Sequence, residues 1–248
     1  MLQEVGNATT LWLRGGYPLS FLAGDDQESF SWREAFIRTY LEMDIPQLGV
    51  RVPATQFRRF WTMVAHNHGQ LWNANQIANS LGVSAPTVRH YLDILDDTFI
   101  VRQLQPYHAN IKKRLTKSPK VYIRDSGLLH ALLRVKTLDD LQGHPSAGSS
   151  WEGFVIEQII DMVPANRQVF FYRTTAGAEI GLLLLDGTGK PVAIEVKYSL
   201  TPKPPRGFLG ACTDLACERA YLVYPGREVY PLGRSITALP VGNLSALL

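Results

Sequence analysis

The stretch Ala178–Lys197, AEIGLLLLDGTGKPVAIEVK, constrains the fold more than any other part of the chain. Glu179–Leu185 is apolar and suits a strand. Asp186-Gly187-Thr188-Gly189 is turn chemistry, because glycine tolerates positive φ and aspartate bonds its own backbone. Pro191–Val196 is a second strand with Lys197 at its end. The segment therefore reads as a β-hairpin. Residues i and i+2 share a face of a strand, so Glu195 and Lys197 point the same way, and Glu179 shares a face with position 181. Strand pairing is expected to bring these positions together. Carboxylates on neighbouring strands can hold Mg²⁺ or Mn²⁺ for phosphodiester cleavage, with a lysine orienting or activating the attacking water.

The 248 residues allow two or three small domains, and a hydrophobic content of 46% supplies packed cores. No apolar run of about 18 residues occurs, so no membrane span is expected. The first residues lack the basic-then-apolar layout of a signal peptide. The two cysteines, Cys212 and Cys217, are one pair, neither a disulfide framework nor a four-ligand zinc set. They read as reduced thiols of a cytoplasmic protein. His66-Asn67-His68 spells HNH by letter only, since that nuclease motif spreads its residues far apart.

The net charge of +3 conceals an asymmetry. Residues 1–50 hold three basic against seven acidic side chains, residues 51–136 thirteen against four, and residues 137–248 nine against eleven. A basic middle between acidic flanks points to a localised polyanion-binding surface. From Thr98 to Arg124 there are seven basic residues and no acid: Arg102, Lys112, Lys113, Arg114, Lys117, Lys120 and Arg124. Such a loop fits phosphate contacts, which set position and affinity more than sequence choice.

A helix-turn-helix precedes that loop. Phe57, Phe60, Trp61 and Val64 recur at helical spacing through Gln56–Asn67. Asn73 or Asn75 caps a short second helix ending at Leu81. Gly82-Val83-Ser84 forms the turn, with Gly82 ending one helix and Ser84 capping the next. The third helix, Ala85–Leu95, buries Val88, Leu92 and Leu95 and offers Ser84, Thr87, Arg89, His90 and Tyr91 outward. Phe99–Leu104 and Lys120–Ile123 then read as two wing strands. Upstream, Trp32–Leu48 reads as a helix capped by Ser29 or Ser31. Leu138–Gly148 reads as a linker, because Gly143, Pro145 and Gly148 are breakers. Trp151–Val163 is an amphipathic helix, and strands and one further helix follow the hairpin.

Several separate motifs carry a family resemblance. LWLRGGYPLSFLA, SFSWREAFIRTYLEMDIPQLG, KRLTKSPKVYIRDSGLLHALL and GHPSAGSSWEGFVIEQII are similar to the C-terminal two-thirds of a prokaryotic AAA-type ATPase family. In that family a P-loop module precedes a winged helix and a C-terminal nuclease-like domain of unknown function (DUF4143-type). This chain has no G-x-x-x-x-G-K-[ST], so ATP hydrolysis is not expected of it. The hairpin resembles the restriction-endonuclease-like core, an acid on one strand and Glu-x-Lys on the next. Gly181 stands where that family places its key aspartate. The resemblance also implies a role for Glu152, in WEGF, since nucleases of this fold often carry a glutamate on the helix before the core strands.

The resulting expectation is an α+β chain, a winged helix-turn-helix followed by a restriction-endonuclease-like mixed α/β domain. Its divisions are 1–52, a helical remnant after a missing ATPase module; 53–142, the winged helix; and 143–248, the nuclease-like domain. The functional expectation is a DNA-binding protein whose nuclease-like domain is catalytically degenerate. Ser84, Thr87, Arg89, His90, Lys112, Lys113, Arg114, Lys117 and Lys120 are the candidate DNA contacts. The alternative is a Mg²⁺- or Mn²⁺-dependent nuclease with Glu179 and Glu195 on the metal and Lys197 and Glu152 assisting. A further alternative is a protein-interaction module of an ATPase system. Leu11, Trp12, Leu13, Tyr17 and Phe21 read as exposed and in want of an ATPase module or a second copy.

Overall fold

A computed structural model describes residues 5–108, 114–233 and 235–247, with side chains from residue 8 onward. The protein is a mixture of helices and two sheets. It divides into two compact units, one made of Gly6–Gln103 with Val121–Gly153, the other gathering Leu104–Lys120 and Phe154–Leu248.

The first unit opens with α1 (Val5–Arg14), α2 (Pro18–Phe21) and α3 (Asp26–Thr39), followed by a π-helical turn over Tyr40–Asp44 and the short α4 (Ile45–Gln47). Asp25 caps α3 by accepting from the Glu28 amide, so the helix begins earlier than the expected Ser29 or Ser31 cap. Then come α5 (Ala54–His66), β1 (Gln70–Leu71), α6 (Ala74–Leu81), α7 (Ala85–Asp97), β2 (Val101–Leu104), β3 (Lys120–Ile123), α8 (Ser126–Leu132) and α9 (Leu138–Gly143). The three strands form one sheet in the order β1-β3-β2. The stretch expected as a linker is mostly helical. Thr137 and Asp140 cap α9 reciprocally, and α10 (Ala147–Met162) starts four residues after α9 ends, overriding the glycines.

The N-terminal apolar residues do not lack partners. Leu11, Trp12 and Leu13 are buried at 8%, 1% and 3% exposure. Trp12 packs edge-on against Trp151 and donates to Ser150 Oγ at 2.9 Å. Arg33, fully buried, donates to the Leu13 and Gly127 carbonyls, which fastens α1 to α8. A side chain remote in sequence thus supplies what the local sequence lacks.

The second unit is a six-stranded sheet in the order β4-β5-β6-β7-β9-β8. Its strands are β4 (Gln168–Arg173), β5 (Glu179–Leu185), β6 (Pro191–Val196), β7 (Arg219–Tyr224), β8 (Tyr230–Pro231) and β9 (Ile236–Pro240), with α11 (Arg206–Asp214) between β6 and β7. The β5–β6 hairpin forms as its sequence implies, with Asp186 Oδ1 accepting from the Thr188 and Lys190 amides across the turn. The β6–β7 and β7–β9 pairs are parallel and the others antiparallel, so the sheet is mixed.

The loop between β2 and β3 is not a free-standing wing. Among its described residues, Pro106 bridges Phe171 and Leu115 bridges Thr174, both on the β4 side of the sheet. Tyr107 donates to the Phe171 carbonyl at 2.7 Å, and Thr116 to that of Arg173 at 3.1 Å. The loop therefore covers the outer edge of β4.

Candidate functional site

The hairpin contains an irregularity that decides where its carboxylates point. β4 and β5 pair Phe170 with Leu183, then Tyr172 with Ile180. β5 thus spends three residues where β4 spends two, which is a β-bulge, and Gly181 lies inside it. A glycine within a strand commonly marks such a bulge, so the missing aspartate coincides with a backbone need.

A bulge reverses the alternation of side chains. Tyr172, Ile180, Leu183 and Ala193 belong to one buried cluster with Phe208 and Ala211 of α11. Their face of the sheet is the α11 face. Arg173 and Glu179, each one residue along from Tyr172 and Ile180, project from the opposite face. Glu195, two residues beyond Ala193, stays on the α11 face. The expectation that Glu179 approaches Glu195 fails because the extra residue sets the two carboxylates on opposite faces.

Each carboxylate has a local cation instead. Glu179 Oε1 meets Lys120 Nζ at 2.8 Å, and its other oxygen lies 3.5 Å from Arg173. Lys120 is 6% exposed in its side chain and sits 5.6 Å over the Phe171 ring. Lys120 is therefore an internal ion-pair partner, not an outward DNA contact, because its ammonium is drawn into the sheet by Glu179. On the other face Lys197 Nζ meets Glu195 Oε1 at 2.7 Å, with Glu195 the more buried of the two. Glu152 belongs to the first unit, where Tyr122 donates its hydroxyl to Oε1 at 2.7 Å. Among the described residues no group of three or more His, Cys, Asp or Glu is placed to hold a metal ion.

The second candidate site is the α6–α7 pair. Asn73 accepts from the Gln76 amide and caps α6. Gly82 closes α6 at φ 72° and ψ 33°, a left-handed conformation glycine adopts without strain. Ser84 caps α7, accepting from the Thr87 amide at 3.2 Å, and its hydroxyl also bonds that of Thr87 at 2.8 Å. Arg89 and His90 are exposed on α7, together with the acidic Asp93 and Asp97. Tyr91, expected outward, is buried at 5% against Phe57 and Phe60. Arg114 and Lys117 are exposed. Lys112 and Lys113 lie outside the described residues.

One polar constellation escaped the sequence reading. His130 is fully buried, with Nδ1 2.9 Å from the Leu13 carbonyl and Nε2 2.6 Å from Ser150 Oγ. Nδ1 must carry the proton to bond a carbonyl, so Nε2 accepts from the serine. A serine beside a histidine invites a catalytic reading, but both are at 0% exposure, which denies a substrate access. His68 is the other buried histidine, and its Nδ1 accepts from the Ile123 amide at 3.0 Å. Burial lowers both imidazoles to about 3. Their signal in sequence was weak, single histidines at the end of α5 and within GLLHALL.

The family model described as "Domain of unknown function (DUF8612)" matches residues 6–139, more than half of the chain. The chain belongs to the DUF8612 family. A second model, "Domain of unknown function (DUF4143)", matches residues 147–244, the part that holds the six-stranded sheet. Two relatives, "Uncharacterized protein Mb2031c" of Mycobacterium bovis and "Uncharacterized protein Rv2008c" of Mycobacterium tuberculosis, are each 44% identical over 245 residues. The match covers 98% of this chain and 55% of each relative, so the chain spans about half their length. No solved structure matches it significantly. Of this DUF8612 member's described residues, no helix is long and apolar enough to cross a membrane.

Proposed function

We propose that this protein is a DNA-binding accessory region of an ATPase-linked system. In this reading residues 53–142 act as a winged helix-turn-helix, residues 143–248 as a restriction-endonuclease-like domain without efficient cleavage, and residues 1–52 as the connection to an ATPase module. The observation that carries it is the α6–Gly82–α7 geometry, two capped helices joined by a tight left-handed turn and followed by β2 and β3. Such a pair presents the exposed side of its second helix to the major groove. Arg89 and His90 are the side chains on offer there. The exposed Arg114 and Lys117 suit phosphates, and Lys120, spent on Glu179, leaves the contact set.

Fluorescence anisotropy with a labelled duplex, repeated from low to moderate salt, tests this. Each phosphate contact contributes about −0.9 to the slope of log K against log salt. Arg114→Ala is expected to weaken binding to every sequence and to flatten the slope by about 1, whereas Arg89→Ala is expected to relax the choice of sequence. Binding that ignores salt would reject the DNA reading and favour docking on a protein.

The metal-dependent nuclease is the second reading, and it rests on the Glu195–Lys197 pair, 2.7 Å apart on one face of the sheet. Gly181 follows directly on the last hairpin pair, Leu182 with Ile194, and Glu195 follows on the other strand. An aspartate at 181 would thus stand beside the Glu195–Lys197 pair. Plasmid cleavage with Mg²⁺ or Mn²⁺ separates the readings. Cleavage by Gly181→Asp but not by the natural chain supports the degenerate site. Cleavage by the natural chain, abolished by Lys197→Ala, supports the active one.

A further inference from the structure

The end of α11 carries two thiols in a position that chain termination normally gives to an apolar contact. The Cys217 amide donates to the Cys212 carbonyl at 2.9 Å, and the Ala216 amide to the Thr213 carbonyl at 3.2 Å. Ala216 holds φ 49° to make this crossed pair. In such a helix end, the third residue from the terminus touches the second residue beyond it, usually through hydrophobic side chains. Here both positions are cysteine, unlinked and half-buried. Both pack against the cluster built on Ile180, Ala193 and Phe208. The crossed backbone bonds set the two thiols side by side at this helix end, where they need little movement to join.

We propose that Cys212 and Cys217 form a reversible dithiol–disulfide site whose oxidant is a hydroperoxide. Cys217 is the attacking sulfur. The hydrogen bond from Cys212 holds its thiol below the usual range, which favours the thiolate. Cys212 is the resolving sulfur. Its hydrogen bond to Cys217, then burial, and last the Glu195 carboxylate push its thiol up, so it keeps its proton until the second step. In the first step the Cys217 thiolate attacks the distal peroxide oxygen, the O–O bond breaks, and the leaving oxygen departs with a proton as water or alcohol. Cys217 is then a sulfenic acid. In the second step the Cys212 sulfur attacks the Cys217 sulfur, the S–O bond breaks, and hydroxide leaves with the Cys212 proton as water. The two thiols lose two electrons and two protons in all, and the hydroperoxide is reduced.

The test is hydrogen peroxide applied to the full chain, followed by alkylation with N-ethylmaleimide and peptide mass spectrometry without reductant. The expected result is a linked Cys212–Cys217 peptide about 2 Da lighter than the dithiol, unreactive to alkylation and recovered with a thiol reductant. Two variants separate chemistry from packing. Cys212→Ser is expected to leave a Cys217 sulfenic acid that dimedone traps. Cys217→Ser is expected to leave Cys212 unmodified at the same dose. Wild-type thiols that both remain open to alkylation after peroxide would overturn the proposal. So would a disulfide found only between molecules, or dimedone trapping at Cys212 in preference to Cys217.

Discussion

Lowering the pH from 7 to 5 is predicted to destabilise the first unit through His68 and His130. Neither ring takes a second proton without a change in its partners. At His68 a proton on Nδ1 would face the Ile123 amide hydrogen it now accepts. At His130 a proton on Nε2 would force the Ser150 hydroxyl to turn its own hydrogen away from the ring, and the imidazolium would be a charge buried out of water. Folding therefore lowers each imidazole from 6.5 to about 3, by burial first. The unfolded chain binds the extra protons below pH 6.5, so stability is complete above that value and is lost progressively as pH falls toward 3. Between pH 7 and 5 each histidine costs about 2 kcal/mol, and the pair about 4 kcal/mol. That is a large share of the roughly 5–15 kcal/mol that holds a domain together. Asp125, whose carboxyl burial pushes up, works in the opposite direction, gaining stability as it protonates in the fold. Single variants therefore isolate the histidine contribution. All five tryptophans (Trp12, Trp32, Trp61, Trp72, Trp151) fall within the unit that holds both histidines. Urea unfolding followed by tryptophan fluorescence reads that unit alone. His68→Asn or His130→Asn is expected to halve the loss between pH 7 and 5. Stability equal at the two pH values, or a variant with the full wild-type dependence, would refute the reasoning.

Other substitutions probe the packing and the ion pairs. Gly153→Ala drives a methyl into the His68 ring at Nε2 and sets it 3.2 Å from Tyr122, and is expected to cost about 2 kcal/mol as overpacking, read as a lower melting temperature. An unchanged melting temperature would mean that the ring gives way. Glu179→Gln removes the carboxylate 2.8 Å from the buried Lys120 ammonium, whereas Lys197→Ala removes a cation that is 40% exposed. The first is expected to cost more in a denaturant titration, by about 1 kcal/mol or more, and the reverse order would contradict the assigned burial. Ala216→Gly relieves a left-handed alanine at the end of α11 and is expected to stabilise by roughly 1 kcal/mol in the same titration.

The elements were legible where local chemistry writes them. Gly82 and Ser84 mark the α6–α7 turn, and the Asp186–Gly189 turn sets the hairpin, all within a few residues of the structure they produce. What escaped depends on partners distant in sequence. Trp12 looked surplus because Ser150 and Trp151, which cover it, stand far along the chain. Lys120 looked like part of a basic loop because Glu179 is equally remote. Gly181 read as a lost ligand, although a glycine inside a strand also marks a bulge, and the extra residue turns Glu179 away from Glu195. The helical α9 was hidden by the opposite effect, breaker residues overruled by a capping box one residue upstream.

The loop laid along β4 has a consequence for how the protein survives in a crowded solution. An open sheet ends in two rows of unpaired backbone groups, and each row is a template on which another chain can add a strand. At one end the row is only the two residues of β8, one of them Pro231, too short and too poor in donors to grow upon. At the other end the long strand β4 is guarded by Tyr107 and Thr116. The exposed Arg114 and Lys117 stand beside that guard, which makes them the place where trypsin would cut. A nick there would free the strand beneath, so limited proteolysis should turn a well-behaved protein into one that precipitates.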